Sequence, residues 1–147
     1  MPEGGLGPLP EAFLRQLDDQ REILVTSRDP GGEGSVRMWF AAAPSGHVYL
    51  LTPAVSRKAQ RWLDDPWVRL RVVGAGRGGV HQEGVVELVA SAGAWADRDL
   101  LVDRFRLAGA ATPEALDWML DSGSHLLLRV GLPRPGLTLA GLAPPPA

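Results

Sequence analysis

HVYLLTPAVSRKAQRWLDDPWVRL, residues 47–70, decides the fold of this chain because it holds three elements divided by two sharp boundaries. HVYLLT is rich in β-branched, aromatic and apolar residues and reads as a strand. Ser56 suits an N-cap, Ala59, Trp62 and Leu63 recur at helical spacing, and Pro66 stops the helix. WVRLRVV, Trp67–Val73, then alternates again, with Val68, Leu70 and Val72 opposed to Arg69 and Arg71.

The helix carries its charges in reverse. Arg57 and Lys58 fall in the first turn, Asp64 and Asp65 in the last, against a dipole that favours the opposite order by roughly 0.3 to 1 kcal/mol per charge. Two readings stand. In one, an anion such as a phosphate sits at the helix N-terminus, held by backbone N–H groups, the Ser56 hydroxyl, Arg57 and Lys58. In the other, the cations are solvated and Asp64 and Asp65 pair with Arg69 or Arg61, at a cost of tenths of a kcal/mol each, on the order of an exposed ion pair.

Working outward, PEAFLRQLDDQ from Pro10 places Phe13, Leu14 and Leu17 on one face of a short lid helix. EILVTSR (Glu22–Arg28) and SVRMWFA (Ser35–Ala41) flank the turn cluster DPGGEG and form a hairpin. The third strand, His47–Thr52, lies antiparallel to the second, and the fourth, Trp67–Val73, is joined through GAGRGG to the fifth, Gly84–Ala90. Ala94–Gly109 reads as a helix with Trp95, Leu100, Leu101 and Phe105 on one stripe, Thr112 caps another, and Ser124–Val130 is the sixth strand. This order predicts an α+β fold, a six-stranded antiparallel barrel with a few peripheral helices. Residues 1–147 form one domain with an ordered core over about 10–131; the first ten residues look disordered, and 132–147 is a proline-rich tail.

Composition narrows the function. There is no cysteine, and three scattered histidines make no metal cluster, so neither a disulfide framework nor a zinc site is expected. A formal net charge of −2 supplies no general basic field for nucleic acid. No apolar run approaches a membrane span and no signal peptide is evident, so a cytoplasmic address is expected. GAGRGG looks like a phosphate loop but opens no helix, and there is no nucleophile elbow. His47, His81 and His125 lie at or beside strand ends, where structural roles are commoner than catalysis. In the second strand Val36, Met38 and Phe40 face the core, leaving Arg37 and Trp39 either to solvent or to a site where a cation and an aromatic plane meet a ligand.

SVRMWF, VYLLT, SRKAQRWLDDPWVRL and GVVELV, in this order, resemble the successive strand, strand, helix-plus-strand and strand of the pyridoxamine-phosphate oxidase-like, FMN-binding split β-barrel family, which includes relatives using a deazaflavin coenzyme. The resemblance runs from about Leu17 to Val130. It implies that Arg37 and Lys58 contact the flavin phosphate with Ser56 and Arg57 beside them. It further implies that Met38 and Trp39 run along the isoalloxazine or ribityl chain, and that Leu51 and Thr52 approach the ring. A homodimer with flavin at the interface, acting on an unknown small-molecule substrate as an oxidoreductase, follows from the same resemblance; no catalytic side chain is assigned.

Two departures matter. The glutamine that the oxidases place near the start of the fifth strand has no clear match, with only Gln82 close by, and the chain lacks their C-terminal substrate-binding segment. Vitamin B6 oxidation is therefore not implied. REILVTSRDPGGEGSVRMWF is similar to the deazaflavin-dependent branch, yet FMN is the preferred expectation, because an acidic coenzyme tail needs a basic path and the one offered by Arg57, Lys58 and Arg61 looks short. A non-catalytic protein that binds or senses a flavin is the remaining reading.

Overall fold

The computed structural model describes residues 6–29, 32–73 and 80–133; the GAGRGG connection and the tail beyond 133 lie outside the described residues. Seven strands form one antiparallel sheet: β1 (Glu22–Asp29), β2 (Gly32–Trp39), β3 (Ala41–Ala42), β4 (Val48–Pro53), β5 (Trp67–Val72), β6 (His81–Val89) and β7 (His125–Gly131), in the order β2-β1-β5-β6-β7-β4-β3. The α+β barrel expected from the sequence is present, with one strand more than the six expected.

The extra strand has a definite cause. β2 and β3 are the two outer strands of the sheet order, yet only Phe40 separates them in the chain. The sheet must therefore curl until its edges meet at Phe40, which is buried in the barrel core. One continuous strand thus becomes two. The hairpin expected between the second and third strands survives only as Ala41↔Tyr49 and Ala42↔Val48, while β4 takes β7 as its main partner, from Val48↔Val130 to Pro53↔His125. The outer edge of β2 is left as the split in the barrel.

Alternation along the strands serves two apolar layers. Ile23, Val25, Val48, Leu50, Val68, Leu70, Leu128 and Val130 fill the barrel interior. Tyr49, Leu51, Val89 and Leu127 point the other way, beneath Leu101, Leu116 and Met119 of the covering helices and Phe105 just beyond the first of them. These helices are α3 (Arg98–Arg104) and α4 (Pro113–Asp121). The single helix expected over Ala94–Gly109 is broken into 3-10 turns at Ser91–Asp97 and Arg106–Ala108 around α3. Trp95 consequently leaves the expected stripe and is exposed, while Leu101 and Phe105 stay buried. The fifth strand begins earlier than expected, since His81, Gln82 and Glu83 pair with Arg71, Leu70 and Arg69.

Packing also starts before Pro10. Leu6 and Leu9 are buried, and Gly7 exchanges backbone bonds with Leu132, Gly7 N–H to Leu132 O at 2.7 Å and the reverse at 2.9 Å. The ring of His47 donates from Nε2 to Leu6 O at 2.7 Å and meets Ser45 Oγ at 2.8 Å through Nδ1, a structural role. This strap lies so close to the sheet that a Cβ on Gly131 would sit 2.4 Å from Gly7 O, and one on Gly46 2.6 Å from Pro8 Cβ. The next element, α1 (Glu11–Arg15), buries Phe13 and with Leu17 closes one end of the barrel, as the lid helix was expected to do.

Candidate functional site

The reversed helix is α2, Arg57–Asp64. Ser56 has extended backbone and its Oγ accepts from Ala59 N at 3.2 Å while meeting Thr52 Oγ1 at 3.0 Å. Ala59 and Trp62 form the buried face, and Trp62 Nε1 donates to Ser27 Oγ at 2.7 Å on β1. Helix position is therefore fixed by a cap at one end and a tryptophan anchor in the middle.

The acidic end has a structural explanation. Asp65 accepts from Arg28 Nε at 2.7 Å, from Arg28 Nη2 at 3.2 Å and from Trp67 N at 3.3 Å. Burial pushes the Asp65 carboxyl up, but the bonds from Arg28 and Trp67 outweigh it and hold the pKa below the usual carboxylate value. The expected partners Arg69 and Arg61 are corrected here. Arg69 donates instead to Glu33 at 3.0 Å and lies over the Trp67 ring, and Arg61 acts on Asp65 only through its charge.

The basic end has no such explanation. Among the described residues neither Arg57 nor Lys58 has a carboxylate partner, and both face grooves. The first groove, about 320 Å³, follows the seam where β2 approaches β4. It gathers Arg37, Met38, Trp39, Leu51, Thr52 and Lys58, six of the residues singled out in the sequence. Ser56 reaches this set through its bond to Thr52. Arg57 does not line it; it lies in a second groove of about 520 Å³ along the outer side of α2, with Ser27, Ser35, Gln60 and Arg61. Lys58 borders both.

Within the seam groove Leu51 and Phe105 are buried, Trp39 is 37% exposed, and Ala108 adds a small apolar surface. Met38 belongs to the barrel core, so strand alternation leaves mainly its backbone to the groove. Arg37 donates through Nε to Glu22 Oε1 at 2.8 Å, an exposed pair that binds weakly and can open. Glu22, Pro53, Phe105 and Ala108 are the lining residues that sequence reasoning missed, Pro53 being simply the next residue of the strand that holds Leu51 and Thr52. Glu22↔Trp39 is a cross-strand pair, so Glu22 was recoverable from hairpin register; Phe105 and Ala108 arrive from the turn after α3, distant in sequence, and left no local signal.

Behind Leu51 the outer face of the sheet carries a polar row. Arg129 is paired across the strands with both Tyr49 and Glu87. Its Nε donates to Glu87 Oε2 at 2.7 Å, while Tyr49 OH donates to Asp97 Oδ2 at 2.7 Å. Burial, then the bond to Asp97, pushes the Tyr49 phenol up to about 12. At neutral pH the phenol is a fixed donor, and the row pins the 3-10 turn of Asp97 onto β4.

An antiparallel barrel split along one edge, with a groove in the split and a cation-bearing helix at its end, defines a structural class. No protein-family model and no curated protein matches the sequence. Solved structures do share the fold. A FAD-binding protein from Mesorhizobium loti superposes with a TM-score of 0.59 at 18% identity, covering 82% of this chain and 85% of that one. An F420 reductase gives 0.56 at 20% identity, with 84% and 94% covered. A protein of Listeria innocua provisionally called a pyridoxamine 5'-phosphate oxidase gives 0.57 at 16%, with 84% and 92% covered. The split-barrel resemblance drawn from the sequence is thus met at the level of fold. Among the described residues no helix is long and apolar enough to cross a membrane.

Proposed function

We propose that this chain is a flavin-dependent oxidoreductase that binds FMN in the seam groove and acts on a small molecule. The observation that carries the reading is the convergence of Lys58, Arg37, Thr52, Trp39 and Leu51 in one groove while Arg57 and Lys58 remain without carboxylate partners. The residues fit such a group: an apolar wall of Leu51, Phe105 and Trp39 for a planar ring, and cations at the α2 end for a phosphate. Lys58, the capped first turn of α2 and Arg37, once released from Glu22, would hold the phosphate. Met38 backbone, Trp39 and Leu51 would orient the ring, and the buried wall would exclude water from one face. A bound flavin supplies the two-electron chemistry. The fold neighbours described as FAD-binding and as an F420 reductase support this class of coenzyme. The groove is open on its outer side, and a homodimer would cover it, with exposed Trp39 at the contact.

A deazaflavin is the second reading, and one observation favours it. The second groove continues from Lys58 past Arg57 and Arg61, so the three cations expected from the sequence do form one connected path, with Asp64 at its side. Titrating the full-length protein with FMN and with a deazaflavin at two salt concentrations separates the readings. FMN is expected to bind more tightly, and tighter deazaflavin binding with a steeper loss at high salt would reverse the assignment. A chromophore that binds yet is not reduced by a nicotinamide donor would favour a sensing role; no binding of either coenzyme would overturn the proposal.

A further inference from the structure

Trp39 has a second side. Beyond it lies another groove of about 320 Å³, lined by Arg21, Trp39, Asp103, Arg104, Arg106 and Leu107. Three guanidinium groups face one carboxylate, in a chain whose formal net charge is −2. Among the described residues the guanidinium groups of Arg21 and Arg106 make no hydrogen bond or ion pair. Arg104 Nε is shielded from solvent without a hydrogen-bond partner, its approach to Asp103 Oδ2 being 4.0 Å, too long for one. Arg104 therefore brings its charge to the groove without a carboxylate hydrogen-bonded to its Nε. Trp39 and Leu107, both exposed, add a flat apolar surface beside the cations.

We propose that this groove binds the carboxylate or phosphate of a small organic anion whose planar or apolar body rests against Trp39. Guanidinium groups favour such oxyanions through paired N–H donors, and an indole face favours a planar body. Position makes it a reaction partner's subsite. Trp39 walls both grooves, and the segment 104–108 gives Phe105 and Ala108 to the seam and Arg104, Arg106 and Leu107 to this side. A molecule anchored here reaches the seam groove across a single side chain. The anion site stands on its own residues; its assignment as the substrate subsite rests on the flavin reading.

The test uses full-length protein and calorimetric titration with three probes, benzoate, benzyl alcohol and inorganic phosphate. Benzoate should bind at least about tenfold more tightly than its neutral isostere, the increment of one charge-assisted contact. The double variant Arg21→Gln/Arg106→Gln alters two exposed side chains and should fold normally. It should weaken benzoate by about tenfold or more while leaving FMN affinity within about twofold. Trp39→Ala should weaken benzoate but not inorganic phosphate, and phosphate that competes more strongly than benzoate would identify a phosphorylated ligand. Equal binding of the alcohol, or benzoate binding indifferent to the arginines, overturns the proposal. Arginine-dependent benzoate binding without any FMN binding would leave the anion site standing and remove the flavin reading; the converse result would do the opposite.

Discussion

α2 and α4 are nearly the same length and begin in the same way. Ser56 Oγ accepts from Ala59 N at 3.2 Å and Thr112 Oγ1 from Ala115 N at 3.1 Å, each from an extended cap residue. After that they part. α4 has Pro113 and Glu114 in its first turn, the arrangement that the helix dipole rewards, whereas α2 has Arg57 and Lys58 there and no acid. α2 gives up stability at its N-terminus although nothing in its cap or its buried face requires it, and the proposed phosphate site is what would account for the difference.

The sharpest way to break the comparison is to make α2 resemble α4. Arg57→Glu/Lys58→Glu should weaken FMN by about tenfold or more, since the one charge-assisted contact that Lys58 offers the seam groove is worth roughly 1.5 to 3 kcal/mol. Chemical denaturation of the apoprotein should meanwhile show a gain of about 1 to 4 kcal/mol, since two unfavourable charges are removed and two favourable ones added at the dipole's positive end. Unchanged FMN affinity, read by fluorescence quenching, would make α2 a structural helix like its counterpart.

The opposite end of α2 supplies the next effect. Asp65→Asn removes the carboxylate from Arg28 and should cost about 1 to 2 kcal/mol at neutral pH, with little change in FMN affinity. The pH dependence has a definite sign. Because the folded pKa lies below the ordinary value, Asp65 contributes its stability above about pH 4, near its unfolded value, and loses it as pH falls through the folded pKa. Acid titrations of stability should therefore be shallower in the variant, and identical acid limbs would count against the ion pair. Smallest is the pair Ser56→Ala and Thr112→Ala. Each should cost about 1 kcal/mol of stability, but only the Ser56 change should also weaken the coenzyme.

Much of the candidate site could be read from the chain because it is local. Ser56, Arg57 and Lys58 follow from a cap and a charge pattern, while Arg37 and Trp39 follow from the two-residue period of a strand. What could not be read is what arrives from elsewhere. Arg28 reaches Asp65 from β1, Phe105 comes to the groove from α3's C-terminal end, and the division of one strand at Phe40 is set by closure of the whole sheet. The strap of residues 6–9 was missed for a related reason. Its glycine and proline content looks like an unstructured leader, whereas its packing depends on His47, Gly46 and Gly131 far along the chain.

That strap also orders events in time. Gly7 can find its backbone partners only after Leu132 has been made, so the first-synthesised part of the strap waits for the last strand. During synthesis from the N-terminus, β1 and β2 can pair early, since their contacts are local, but the surfaces that Leu6 and Leu9 later cover stay open until β7 is added. A nascent chain paused between α4 and β7 would expose an unpaired β4 edge together with an unburied strap.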